Sequence, residues 1–218
     1  MRRENSAAAQ AAAIRAGARR GPWRRLLALL GLGGAAVARA DAQAARWAHG
    51  AAGEERTARL LAQLEARGWH VRHDLRLAGR RFNVDTALVS PCGTGLVVLD
   101  TKNWHRGPDW ETKLIDGRVH CGRDDRHDQI AKVAEYARLV GSAVAVPGLV
   151  VQPLVVVHGS RIPGGHLTAP VPGGSVLVVG TDWLVPTLAA AVRGRDPRRA
   201  AALAARVDQV LRPYVTGA

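Results

Sequence analysis

Asn83-Val84-Asp85, followed after a turn by Gly95-Leu96-Val97-Val98-Leu99-Asp100-Thr101-Lys102-Asn103, decides how this chain is read. Both stretches have the apolar, β-branched texture of strands. Side chains alternate along a strand, so Asp100 and Lys102 project to one face while Leu99 and Thr101 project to the other. The run Leu96 to Leu99 is apolar on both parities, as expected of a strand covered on both sides. Two carboxylates and an ammonium at the edge of a buried sheet are costly unless they are paired or bind a cation. One reading is a divalent-metal site beside a lysine that handles water, which is the chemistry of phosphodiester hydrolysis. The other is that Asp85 satisfies turn donors and Asp100 forms a simple salt bridge with Lys102.

Working outward, residues 50–67 predict a helix, with Leu60, Leu61 and Leu64 as its apolar stripe and Gly68 as its stop. At about 100° per residue, Glu54 falls at the margin of that stripe and Glu55 almost opposite it. Glu54 is therefore the acid of the two that looks into the domain, unless it simply complements the helix dipole. Strands follow over 69–77, 82–90 and 94–101, joined by Ala78-Gly79-Arg80 and Pro91-Cys92-Gly93. Residues 103–123 read as irregular with a hairpin at Asp116-Gly117. A helix over 125–144 buries Ile130, Val133, Ala134, Ala137 and Val140. A strand over 149–157, a Gly/Pro-rich loop over 159–174, a strand over 175–179 and helices over 182–193 and 197–212 complete the chain. Asp196 and Pro197 are the cap and first turn of the last helix. The order α-β-β-β-α-β predicts an α/β fold, a mixed sheet flanked by helices.

The length of 218 residues supports one core with an appendage. The formal charge of +13 is unevenly placed, with nine arginines against two acids in residues 1–49. Such a surface attracts nucleic acid or an anionic membrane, although Arg written wherever a solvated charge is tolerated gives the same count. Arg24-Arg25 precede an apolar run from Leu26 to Ala38 that resembles a signal peptide. Three glycines in the run, the long basic lead and the absence of an extracellular signature downstream argue against secretion. The run is also short for a bilayer span. Residues 1–46 are read as a basic, partly disordered arm with a weakly apolar helix. Residues 47–160 form the core, and 161–218 complete the same domain. The arm offers peripheral membrane contact as an alternative to nucleic acid. Cys92 and Cys121 have no metal spacing and read as reduced thiols of a cytoplasmic protein.

Trp47-Ala48-His49-Gly50-Ala51-Ala52-Gly53-Glu54, the Asn-Val-Asp of residues 83–85 and the Asp-Thr-Lys of residues 100–102 together resemble the nuclease-related domain (NERD). That family is placed within the PD-(D/E)xK superfamily of restriction-endonuclease-like folds, and the resemblance spans residues 47–160. The family most often has Glu where this chain has Asp100. Several superfamily nucleases carry Gln-x-x-x-Tyr in the second helix. Here Val133 stands four residues after Gln129, and the tyrosine comes at Tyr136.

The resemblance implies a restriction-endonuclease-like core and metal-dependent hydrolysis of DNA. Hard oxygen donors select Mg²⁺ or Mn²⁺. Asp85, Asp100 and the Thr101 carbonyl would hold the cation, Lys102 would position water, and Glu54 would add an outer carboxylate or second-metal ligand. Gln129 is read as a phosphate contact or a solvated helix residue, and Trp104 as a base-stacking platform or a loop anchor. A helicase-type partner is compatible with this reading, and oligomeric state is open. The alternative is a non-catalytic nucleic-acid-binding or scaffold module that keeps the fold. Asp124, Asp125 and Asp128 around His127 read as helix caps, and Gly159 to Gly174 lacks a P-loop pattern.

Overall fold

The computed structural model describes residues 34–80, 82–192 and 194–214. Residues 1–33 of the expected basic arm, with the apolar run as far as Gly33, lie outside them. The chain divides into two compact units, one comprising Arg56–Tyr214 and the other including residues 34–55.

Helix α1 spans Gly34–Glu65. It begins well before the residue 50 expected from the leucine stripe, because the preceding stretch is alanine-rich and free of proline, and propensity carries the helix without a stripe. It ends as expected. Gly68 has φ 83°, its N–H bonds to the Glu65 carbonyl at 2.9 Å, and the Trp69 N–H reaches the Leu64 carbonyl at 3.1 Å. That pair of bonds satisfies carbonyls the last helical turn leaves open.

Strands β1 (His70–Leu77), β2 (Asn83–Val89) and β3 (Gly95–Asn103) form an antiparallel meander. The segment that reads as irregular contains a small three-stranded sheet: β4 (Thr112–Ile115), β5 (Arg118–Cys121) and β6 (Asp124–Asp125). Its hairpin turns at Asp116 and Gly117, both with positive φ (50° and 77°), as a two-residue primed turn requires. Helix α2 (His127–Val144) then leads to β7 (Val150–His158), which pairs parallel to β3.

The expected loop at 159–174 holds a strand, β8 (His166–Val171), antiparallel to β9 (Gly174–Gly180). Its proline obscured it. Pro170 is tolerated because β8 is the outermost strand, where one missing donor breaks no central ladder. Helices α3 (Thr181–Ala190) and α4 (Pro197–Val210) follow. The Asp196 carboxylate caps α4 by accepting from the Arg199 N–H at 3.0 Å. Residues 211–213 leave the helix to form β10 (Leu211–Pro213), since the residue before a proline disfavours helical backbone.

The main sheet has the order β10-β1-β2-β3-β7-β9-β8. Leu61 and Leu64 of α1 and Leu184 and Leu188 of α3 cover one face, packing with Leu88, Val97, Leu99, Leu154 and Val156. Helices α2 and α4 cover the other, packing with Ala87, Val89, Leu96 and Val98. The small sheet joins the second face, where Val119 and Cys121 pack with Ile130, Val133, Val155 and Val157. The fold is thus a mixed sheet flanked by helices on both faces. Among the described residues, no helix is long and apolar enough to cross a membrane.

Candidate functional site

The last paired positions of β2 and β3 are Thr86 and Leu99, so one further step sets Asp85 beside Asp100. There the ladder ends and a side chain takes over: the Thr101 N–H donates to Asp85 Oδ2 at 2.8 Å. Val98 and Leu96 pack with α2, and strand alternation puts Asp100 and Lys102 on that same face. Lys102 Nζ lies 2.6 Å from Asp100 Oδ2, with the two side chains 26% and 18% exposed. Asp100 Oδ2 is sealed from solvent and meets no aligned hydrogen-bond donor among the described residues. The lysine contact is an ion pair without hydrogen-bond geometry.

Burial pushes the Asp100 carboxyl up, and the Lys102 charge only partly draws it back. Burial would lower Lys102, but Asp100 and then Asp85 hold it above the ordinary lysine value, with a smaller contribution from Tyr136. Lys102 thus keeps its proton, answering to two carboxylates, while Asp100 answers to one ammonium. Tyr136 stacks on Phe82 with ring centroids 4.2 Å apart. It lies two helical turns beyond Gln129, and positions seven apart share one stripe of a helix. Gln129 is half-buried in the first turn of α2.

The opposite face of the same sheet end carries a network that the sequence reading missed. Thr101 Oγ1 donates to Thr57 Oγ1 at 3.2 Å, and Thr57 Oγ1 is 2.8 Å from His158 Nε2. Thr57 and His158 are both buried. Burial, then the positive charges of Arg56 and Arg106, pull the His158 pKa down to about 4, so the imidazole is neutral. Two signals were present in the sequence: Thr57 precedes Leu61 and Leu64 at i+4 and i+7, and His158 ends an apolar strand.

Asp85, Asp100, Thr101 and Lys102 thus come together. Glu54 is half-buried and Glu55 exposed on α1. From Thr57 to Leu64, α1 meets the Leu99 and Thr101 face, opposite Asp100 and Lys102. The stacking role considered for Trp104 is corrected: the residue is 6% exposed and belongs to the core with Val157 and Ile162, which fits the loop-anchor reading. The acids around His127 are mainly ion partners: the N-cap of α2 is Arg126, with no side-chain cap bond, and Asp124 pairs with Arg126. Asp125 accepts from the His127 N–H at 2.8 Å, and Arg118 bridges Asp125 and Asp128. Cys92 and Cys121 are free thiols.

Two carboxylates on adjacent strands, one with a buried oxygen lacking an aligned donor, are a hard-oxygen set of the kind Mg²⁺ uses, since that ion needs one or two carboxylates and fills the rest with water and phosphate. No group of three or more His, Cys, Asp or Glu poised for a metal is found among the described residues.

A mixed sheet flanked by helices, with an Asp and an Asp-x-Lys on neighbouring strands, defines an α/β protein of nuclease type. Residues 49–158 match the nuclease-related domain, and the chain belongs to that family. No curated protein matches the chain. No solved structure matches it either.

Proposed function

We propose that this chain is a metal-dependent phosphodiesterase acting on DNA, with Asp85, Asp100 and Lys102 as its reacting centre. The observation that carries this reading is the arrangement of Asp85 beside Asp100, with Lys102 Nζ 2.6 Å from the second carboxylate. Asp85, Asp100 and the Thr101 carbonyl would hold Mg²⁺ or Mn²⁺. Such an ion, when bound, neutralises phosphoryl charge and lowers the pKa of its water. Lys102, held protonated, orients water by hydrogen bonding and balances charge on the phosphate. Asp85, whose Oδ2 accepts from the Thr101 N–H, has its carboxylate oriented by the backbone of β3. Glu54 would add an outer carboxylate, and Gln129 a phosphate contact.

A second reading, a non-catalytic nucleic-acid-binding module, is favoured by the tie between Lys102 and Asp100, which also serves a purely structural end. Incubating the purified chain with linear, circular and single-stranded DNA, with Mg²⁺, Mn²⁺ or chelator, separates the two. The hydrolytic reading expects metal-dependent cleavage that disappears in Lys102→Ala and Asp85→Ala. DNA binding without cleavage by any variant, wild type included, would leave the binding module. Deleting residues 1–45 should weaken DNA binding and flatten its salt dependence if the basic arm contacts phosphates.

A further inference from the structure

Two arginines converge on the end of β7 from different elements. Arg56 immediately precedes Thr57, whose hydroxyl meets His158 at 2.8 Å. Arg106 follows Trp104, whose N–H donates to the His158 carbonyl at 2.9 Å. Gly159, at φ 91°, allows this approach, because a Cβ there would fall 2.3 Å from the Trp104 carbonyl oxygen and 3.3 Å from Arg106 Cγ. Any larger residue would drive the 104–106 segment off the strand.

Three other arginines of the domain face carboxylates: Arg72 meets Asp208, Arg118 meets Asp125 and Asp128, and Arg126 meets Asp124. Arg56 and Arg106 meet no carboxylate among the described residues. Arg56 is half-buried, and its Nε is sealed from solvent with no hydrogen-bond partner. Both act on His158, a neutral imidazole that offers no compensating charge and whose pKa their positive charges lower. A half-buried guanidinium with an orphaned N–H is unfavourable until an anion meets it, and planar guanidinium forks match phosphate oxygens.

We propose that Arg56 and Arg106 form a phosphate-binding subsite on the α1 side of the sheet end. Assigning it to a nucleic-acid strand rests on the hydrolytic or binding reading above. The strand would cross the end of β3 and β7, with one phosphate on the arginines and another on the Asp85 and Asp100 side. The shared chemistry is a phosphate ester, either an internal diester or a terminal monoester.

The test uses the full chain in chelator, so that binding is read apart from cleavage. Fluorescence anisotropy follows short DNA duplexes with and without a 5′-phosphate across a salt series. Arg56→Gln and Arg106→Gln should each weaken binding about tenfold and reduce the log–log salt slope by about one. Arg118→Gln, which removes an already paired surface charge, should do neither. Arg56→Lys should keep the slope but lose affinity, because it retains the charge without the fork. DNA should also perturb the His158 ring signal in the NMR spectrum of the wild type and not in the double Arg56→Gln/Arg106→Gln variant. A larger effect on 5′-phosphorylated duplexes identifies a terminal monoester, and equal effects an internal diester. Unchanged slopes and affinities in both glutamine variants overturn the subsite, as does an equal loss in Arg118→Gln. Cleavage of DNA by wild type with unchanged slopes would sink the subsite alone. Lost binding in the arginine variants of a chain that never cleaves would sink the hydrolytic reading alone.

Discussion

On the α2 side of β3, Asp100 and Lys102 form an ion pair 2.6 Å apart. On the α1 side, one residue away in sequence, Thr101 joins Thr57 and His158 in a hydrogen-bonded network with no net charge. The two regions share one sheet end, the first half-buried and the second reaching the buried Thr57 and His158, yet they meet the cost of buried polarity differently. The first balances charge against charge and leaves an acid oxygen without an aligned donor. The second abandons charge and matches neutral donors to neutral acceptors. A neutral network of this kind fixes position, whereas an ion pair whose acid oxygen lacks an aligned donor leaves that oxygen open to a further ligand. On the proposed function, the difference would separate the framework of the site from its reactive part.

The sharpest way to break this comparison is to remove one member of the ion pair. Lys102→Met leaves Asp100 buried and uncompensated, and should cost roughly 3 kcal/mol or more in urea unfolding as well as abolishing any cleavage. Replacing both, Asp100→Leu with Lys102→Met, should restore most of that stability and none of the activity. If the double replacement is less stable than the single one, the pair is a net stabiliser and the contrast fails.

The neutral side is tested by pH. The folded-state pKa of His158 is depressed to about 4, so the unfolded chain binds the extra proton first. The stability associated with His158 is fully present above its unfolded pKa near 6.5 and is lost as the pH falls toward 4. The expected loss is about 3 kcal/mol. His158→Gln should flatten the wild-type slope between those two values, measured as the difference between the two proteins' unfolding curves. A wild-type and variant pair with parallel pH profiles would mean that His158 charges without penalty.

A smaller effect is expected of Thr57→Val, which keeps the shape and removes the hydroxyl shared by Thr101 and His158. The loss should be about 1–3 kcal/mol, with the pH dependence of His158 retained because burial and the arginines still act on it. The smallest contrast lies between neighbours on α1. Glu55→Gln, at an exposed position, should change stability by no more than about 0.5 kcal/mol and leave Mn²⁺ binding intact. Glu54→Gln, at a half-buried one, should weaken Mn²⁺ binding in calorimetry if Glu54 supplies the outer carboxylate proposed above. The reverse outcome would put the wrong glutamate in the site.

Much of the charged side was legible in the sequence, because alternation along a strand places Asp100 and Lys102 on one face whatever surrounds them. The hairpin at Asp116-Gly117 and the Asp196 cap were legible for the same reason: they are local. What escaped detection is tertiary. His158, Thr57 and Thr101 are distant in sequence, and nothing in a lone threonine on a leucine stripe announces that it meets a histidine from a parallel strand. Helix α1 extends to Gly34 on alanine propensity, which gives no periodic pattern to count. Strand β8 was hidden by Pro170 and by polar alternation suited to an edge. Trp104 shows the limit from the other direction: a tryptophan beside a basic site invites stacking, but burial decides its role, and burial is not written locally.

Strand β10 carries a consequence for synthesis. Its residues Leu211, Arg212 and Pro213 pair with Leu77, Arg76 and Leu75 of β1. On a ribosome β1 emerges early, can pair with β2, and then keeps its other edge open until β10 is made. At about 5–20 residues per second that interval is on the order of ten seconds. Throughout it the nascent chain exposes a template for intermolecular strand addition. Arg72 and Arg76, set along this strand, supply charge that discourages it.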